Sequence, residues 1–503
     1  MSLELLNSVF SELFTVEVML VLFLGVVGGI FIGALPGLST LMAVALLIPV
    51  TFSMDPIPGL IMLTAVYTSS MFGGSIVAIL LHTPGTPSSA ATSLDGYPMT
   101  LKGQGAKAIG ISAISSMLGG FFSAIVLLFL APPLAGVSIM FSAPEYFLIA
   151  IFGLTIIGSL SAQSMVKGLM AGVFGLFIGT IGVDIFTGYN RFTFGFAELQ
   201  GGLPLIPAMV GLFSISQVLI QIESIGKEQV KQKIAKVKGK VLPTFSELKK
   251  LLPNITRSSF IGTFVGILPG AGGDIASWVS YNEARRFSKN KDTFGKGNIE
   301  GVAAAETANN SVTGGSLIPT LTLGVPGSAT TAVVLGGFMI HGLNPGNELF
   351  TTQANISYSI IFGFMLANIL MGVFGLLGAR YFAKVGDISF TFVAPVVVGL
   401  SVVGAYAVNN SMFDIWVMLI FGVIGYLSRK VGFHPAPIIL GLILGPIAES
   451  GFRQSLTMSQ GNLLSFYFSR PISVTIMVLI VGALLSPLII KWMKNKYNKI
   501  EKD

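Results

Sequence analysis

Residues 301-GVAAAETANNSVTGGSLIPTLTLGVPGSATTAVVLGGFMIHGL-343 are apolar enough for a membrane span, yet Gly, Pro, Ser, Thr and Asn interrupt them in the middle. A lipid-facing helix has no use for that interruption, because each freed backbone group must find a partner where there is no water. The chain contains the pattern a second time, in 68-TSSMFGGSIVAILLHTPGTPSSAATSLDGYPM-99. There Gly73-Gly74-Ser75 answers Gly314-Gly315-Ser316, and Pro84-Gly85-Thr86 answers Pro326-Gly327-Ser328. Paired broken helices, one per half of a chain, point to the binding site of a secondary transporter.

Composition sets the environment. Of 503 residues 52% are hydrophobic and 10% charged, against about 25% charged in soluble domains. The expected class is an all-α polytopic membrane protein. With no cysteine, disulfides, thiolate nucleophiles and Cys-based metal sites are excluded. Residues 1–14 carry Glu4 and Glu12 but no Lys or Arg, so they read as mature sequence rather than a signal peptide. The formal charge of +7 sits largely in 226-GKEQVKQKIAKVKGKVLPTFSELKK-250 and 491-KWMKNKYNKIEKD-503. Both runs read as cytoplasmic orientation signals, with the lipid bilayer as their setting and no nucleic acid as partner.

Residues 15–34 and 41–52 flank 33-GALPGLST-40, and two short arms between Arg257 and Arg285 flank 266-GILPGAGGD-274. Each pair reads as a re-entrant hairpin, allowed where protein or a wet cavity covers its tip. The basic residues then place broken spans at about 57–95 and 302–343. Further spans fall near 108–131, 145–161, 164–182, 204–222, 355–379, 388–408, 411–428, 434–450 and 472–490. Only Arg191, Arg453 and Arg470 fall outside. The expectation is about 11 spans plus two hairpins, in two inverted repeats. Their bounds are 1–222 and 258–468, with a basic cytoplasmic linker at 223–257 and a C-terminal helix and tail at 469–503.

Four breaks carry the candidate site: Pro36-Gly37, Pro84-Gly85, Pro269-Gly270 and Pro326-Gly327. Proline removes a donor and glycine permits unusual dihedrals, so each break exposes helix ends. Helix N-termini attract anions, and freed carbonyls suit a cation such as Na⁺. Ala271 and Gly272 complete the second hairpin tip. Ser39, Thr40, Thr86, Ser88, Ser89, Ser328, Thr330 and Thr331 follow the breaks, where they can cap helices and donate to a carboxylate. Thr68-Ser69-Ser70 and Asn309-Asn310-Ser311 occupy matching positions earlier in the broken spans, as candidate ion ligands. Small polar residues also glue membrane helices together. Asp274 and Glu306 are candidate ion or proton carriers, since an intramembrane carboxylate is functional by default; Asp274 also suits a helix cap. His82 and His341 border the breaks without forming a metal cluster. No Walker A, HExxH or nucleophile-elbow pattern occurs, so no cofactor and no hydrolytic activity are expected.

These motifs, with 182-GVDIFTGYNRFTFGFAEL-199 and 430-KVGFHPAPIILGLILGPIAESGFRQSLTMSQGNLLSFYFSRPIS-473, resemble the large membrane subunit (TctA) of the bacterial tripartite tricarboxylate transporters. The resemblance covers roughly residues 18–475. It implies a small four-helix membrane subunit and a periplasmic solute-binding protein as partners. It also implies carboxylate uptake at the bacterial inner membrane, driven by Na⁺ or H⁺. The paired hairpins look like those of the divalent anion–sodium symporters and TRAP transporters, which implies an elevator-like motion by analogy. A passive channel and an intramembrane enzyme using Asp274 or Glu306 are the rival readings.

Overall fold

A computed structural model describes residues 2–35, 37–159, 165–184, 186–225, 240–268, 272–385, 388 and 390–500. Pro36, Pro269, Gly270 and Ala271, most of the basic run and the last residues of the tail lie outside the described residues. The chain begins with α1 (Leu3–Leu13), α2 (Val16–Gly33), α3 (Thr40–Phe52), α4 (Pro56–Leu81), α5 (Ala90–Leu101) and α6 (Gly105–Val137). Next come α7 (Ala143–Ser159), α8 (Met165–Ile178) and a two-stranded antiparallel ribbon of β1 (Gly182–Val183) and β2 (Asn190–Arg191). Helices α9 (Leu205–Val210) and α10 (Ser216–Ile225) are joined by a π-helical turn. The second half holds α11 (Phe245–Ile267), α12 (Gly272–Phe287), α13 (Ile299–Leu323), α14 (Ala329–Ile340) and α15 (Asn347–Phe350). It continues with α16 (Ala354–Val385), α17 (Phe390–Asn409), α18 (Met412–Lys430), α19 (Ala436–Met458), α20 (Leu463–Phe468) and α21 (Pro471–Ile500).

Among the described residues, eight helices are long and apolar enough to cross a membrane. Seven match expected spans, and the eighth is α2, the first hairpin's outgoing arm. The expected spans at 145–161, 164–182 and 472–490 give shorter apolar helices. Helix α13 fails on polarity, and its surroundings explain why that is tolerated. Every residue of α13 from Gly301 to Thr322 is buried, as is every residue of α4 from Ile57 to Leu80. Protein rather than lipid solvates these two central helices, so Glu306, Asn309 and Asn310 stand at positions no lipid tail touches.

Close packing comes from glycines at helical spacing. Gly25, Gly29 and Gly33 lay α2 against α4, and a Cβ at Gly33 would lie 2.3 Å from the Ser70 carbonyl oxygen. In the second half Gly262 and Gly266 lay α11 against α13 in the same way. Such small residues four apart let backbones approach. These contacts also correct the register read from the motifs. Gly33 meets Gly73 and Gly266 meets Gly315, so Gly73 corresponds to Gly315 and Gly74 to Ser316, one residue later than the Gly-Gly-Ser match. The corrected register pairs Thr64 with Glu306, Tyr67 with Asn309, Thr68 with Asn310 and His82 with Gly324.

The chain divides into two compact units, residues 1–136 with 206–426 and residues 137–205 with 427–503. The first holds both hairpins and both broken helices, so the units cut across the repeat bounds expected from sequence. Helix α1, not anticipated, is anchored to α16 within it: Asn355 donates to Glu12 at 2.9 Å and Phe10 packs on Phe362. Helix α11 begins at Phe245, inside the segment read as linker, because Thr244 and Glu247 form a capping box there. In the second unit, each arginine that fell on the wrong side has an acid: Arg191 pairs with Glu449 at 2.6 Å, Arg453 with Asp184 at 2.9 Å and Arg470 with the buried Glu145 at 2.7 Å. Each pair satisfies its arginine within the protein, and a statistical orientation rule tolerates such exceptions. Amides of Phe186 and Thr187, together with Arg453, hold the Asp184 carboxyl down to about 2.

Glu247 yields a pH prediction. Its ion pair with Lys107, aided by the Thr244 amide and hydroxyl, lowers its carboxyl to about 2. A carboxyl lowered on folding stabilises above its unfolded value of about 4.3 and loses that contribution as pH falls through the folded value. Wild type should therefore melt above Glu247→Gln at pH 7, and the gap should shrink steadily from about pH 5 towards pH 2. A gap that stays constant in melting curves across that range would refute the assignment.

Candidate functional site

Both central helices stop at a left-handed residue: α4 at His82, φ 56°, and α13 at Gly324, φ 68°. The chain then passes Pro84-Gly85 or Pro326-Gly327 and re-enters a helix through a reciprocal capping box. Ser89 N–H donates to Thr86 Oγ1 at 3.3 Å, and Thr86 N–H donates to Ser89 Oγ at 3.3 Å. Thr331 N–H donates to Ser328 Oγ at 3.2 Å, and Ser328 N–H donates to Thr331 Oγ1 at 2.8 Å. The hydroxyls of Thr86, Ser89, Ser328 and Thr331 are thus committed to capping. Each break glycine packs on its own half's backbone. A Cβ at Gly85 would lie 2.6 Å from Gly74 Cα and 3.1 Å from the Gly33 oxygen; one at Gly327 would lie 2.7 Å from the Gly266 oxygen and 2.8 Å from Ser316 Cα.

The hairpins cross over. The return arm α12 of the second packs against the Pro87–Ser89 turn of the first break, and α3 of the first packs against α14 after the second break. Ser88 Oγ consequently donates to Asp274 Oδ1 at 3.0 Å. A point one bond off Gly273 Cα lies 2.6 Å from Ser88 Oγ and 3.3 Å from Asn309 Oδ1. Asn309 is fully buried, and neither its Oδ1 nor its Nδ2 has a hydrogen-bond partner. Gly272 opens α12 with φ 58°, a conformation that favours glycine. At the first hairpin tip, Gly37 has φ 86° and its carbonyl accepts from Gln217 at 3.2 Å and Gln221 at 3.3 Å. Thr330 lies half-buried in the first turn of α14.

The other expected residues divide by partner. Ser69, Ser70 and Ser311 donate to carbonyls of their own helices, those of Ala65, Tyr67 and Thr307. Ser39 caps α3 through Met42 N–H, and Thr40 lies against Met71 sulfur at 3.4 Å. Asn310 Nδ2 donates to the Thr68 oxygen at 3.1 Å, while Thr68 Oγ1 donates to Asn368 at 2.7 Å. The corresponding positions of the two halves therefore touch. Glu306 is fully buried in a cage of hydroxyls: Ser75 and Ser112 at 2.7 Å, Ser116 at 3.1 Å, and Thr92.

Two side chains escaped the sequence reading. Tyr67, buried in α4, has its hydroxyl against those of Ser328 and Ser316 at the second break. Asp95, buried in α5, accepts from Tyr281 Oη and Gly297 N–H at 2.8 Å and from Asn298 N–H at 2.7 Å. The rule that singled out Glu306 applies equally to Asp95, a carboxylate inside a broken span.

Residues 19–440 match the Tripartite tricarboxylate transporter TctA family. The chain belongs to that family. It is similar to an Agrobacterium vitis protein described as an uncharacterized 52.8 kDa protein in the TAR-I ttuC' 3'region, with 35% identity over 455 residues, 90% of each chain. A second A. vitis protein, from the TAR-II ttuC' 3'region, is 35% identical over 216 residues, 43% of this chain and 89% of its own length. A TctA protein is the large subunit of a tripartite transporter, so this is a multi-pass membrane protein with a role in carboxylate transport.

Proposed function

We propose that the chain is the inner-membrane permease subunit of a cation-coupled, binding-protein-dependent carboxylate importer. A periplasmic solute-binding protein delivers a di- or tricarboxylate, and a small membrane subunit completes the complex. The substrate passes unchanged between the two hairpin tips and the two breaks, by alternating access of an elevator-like kind between inverted repeats. The observation that carries this reading is the crossed packing: each half's return arm lies on the other half's break. A ligand held there touches both halves, so movement of one against the other changes its access. Few cations surround the breaks, so helix N-termini and amides carry the attraction for carboxylates.

The test is uptake of radiolabelled carboxylates by the reconstituted complex with its binding protein. Uptake should accumulate substrate under an imposed Na⁺ or pH gradient and collapse when both are removed. Accumulation-free equilibration insensitive to either gradient would identify a channel instead, and recovery of altered substrate an enzyme.

A further inference from the structure

The two breaks are alike in backbone and unlike in side chains. In the corrected register Ser88 corresponds to Thr330 and Asn309 to Tyr67. Counted from the shared Leu35-Pro36-Gly37 and Leu268-Pro269-Gly270, Asp274 corresponds to Leu41. One break thus offers a hydroxyl, a carboxylate and a free amide, where the other offers a hydroxyl, an isobutyl group and a phenol. We propose that the first break holds a single monovalent cation of Na⁺ type, bound by Ser88, Asp274 and Asn309, and that Tyr67 has abolished the corresponding site at the second. This rests on reading the breaks as ligand sites.

Three observations converge on the first break. Ser88 Oγ donates to Asp274 Oδ1 at 3.0 Å, and Ser88 Oγ and Asn309 Oδ1 both lie against Gly273, which has no side chain to separate them. Hydroxyl, carboxylate and amide oxygens are the donor set of a hard cation. Asn309 is wholly buried with both polar atoms unpartnered, an unfavourable condition unless a ligand answers it. The charge then selects the ion. Among the described residues no group of three or more His, Cys, Asp or Glu occurs, and one carboxylate balances one positive charge. With Oδ1 on the cation, Asn309 Nδ2 remains as a donor for a substrate carboxylate beside it.

The second break shows the opposite condition. The Tyr67 hydroxyl reaches Ser328, whose own hydroxyl caps α14, and Leu41 brings no charge. Pro326 and Gly327 are buried, whereas His82, Thr83 and Pro84 are exposed. Tyr67 takes the place of a ligand there.

The experiment is equilibrium binding of radioactive Na⁺ to the purified full chain at fixed pH and ionic strength, with choline replacing Na⁺. Wild type should bind about one ion per chain; Asn309→Ala and Asp274→Asn should weaken binding about tenfold or more, and Tyr67→Phe should leave it unchanged. Melting in choline separates a ligand from a structural residue: Asn309→Ala deletes an unpaired amide and should melt no lower than wild type. Two ions per chain, none, or a Tyr67→Phe effect equal to that of Asn309→Ala would overturn the proposal. So would a lower melting point of Asn309→Ala in choline. Carboxylate uptake driven by a pH gradient with no Na⁺ bound would overturn it while leaving the importer reading intact.

Discussion

Alanine at Gly85 or at Gly327 is expected to stop transport while leaving the protein inserted in the membrane. The added methyl would meet main chain, not a side chain able to swing away: Gly74 Cα at 2.6 Å in one case, the Gly266 oxygen at 2.7 Å and Ser316 Cα at 2.8 Å in the other. Distances this far inside van der Waals contact force the break away from its hairpin, at about 1–3 kcal/mol of strain. That cost is small beside the insertion energy of many apolar helices, so the chain still enters the bilayer. It is large for a site whose parts must hold position within about 0.5 Å. Uptake per inserted molecule should fall about tenfold or more, and Gly28→Ala, whose methyl meets nothing within 4 Å, should change nothing. Normal uptake in both break variants would remove the breaks from the transport path.

How far the sequence alone could reach follows from what is local in it. A Pro-Gly pair flanked by hydroxyls breaks a helix through its own chemistry, so the Pro84 and Pro326 breaks and their helix starts at Ala90 and Ala329 were readable. The register between halves was readable only to within one residue, because Gly-Gly-Ser matches by composition whereas Gly33 and Gly266 match by contact. The crossing of the hairpins was not readable. It depends on contacts between residues nearly two hundred positions apart, such as Ser88 and Asp274. The same limit hid Tyr67, which reads as an ordinary buried aromatic until Ser328 is known to stand before it. It also hid the fate of Ser69, Ser70 and Ser311, since a hydroxyl in a helix has its own preceding turn as a ready acceptor. The three arginines on the wrong side became intelligible only with their acids, Glu449 and Glu145 lying more than 250 residues from Arg191 and more than 300 from Arg470.

Leucine at Glu306 is the second substitution with a large expected effect, and it separates structure from ion coupling. The carboxylate is the shared acceptor for Ser75, Thr92, Ser112 and Ser116, which lie on α4, α5 and α6. It therefore fastens α13 of one half to three helices of the other, in a place no water reaches. Leucine removes four interhelical hydrogen bonds worth roughly 0.6–2 kcal/mol each and leaves the hydroxyls only their own helix carbonyls, and the summed loss of a few kcal/mol should appear as a marked fall in melting temperature and folded yield. Glutamine behaves differently. Its Oε1 accepts from one pair of hydroxyls and its Nε2 donates to the other pair, which can turn to receive it. The cage survives without its charge, so Glu306→Gln should melt close to wild type. If the cation resides at Asp274 alone, Glu306→Gln should also keep uptake within about twofold, because the charge it removes contacts neither ion nor substrate. A glutamine variant that folds normally yet has lost uptake would return Glu306 to the ion path, making the hydroxyl cage a second coupling site.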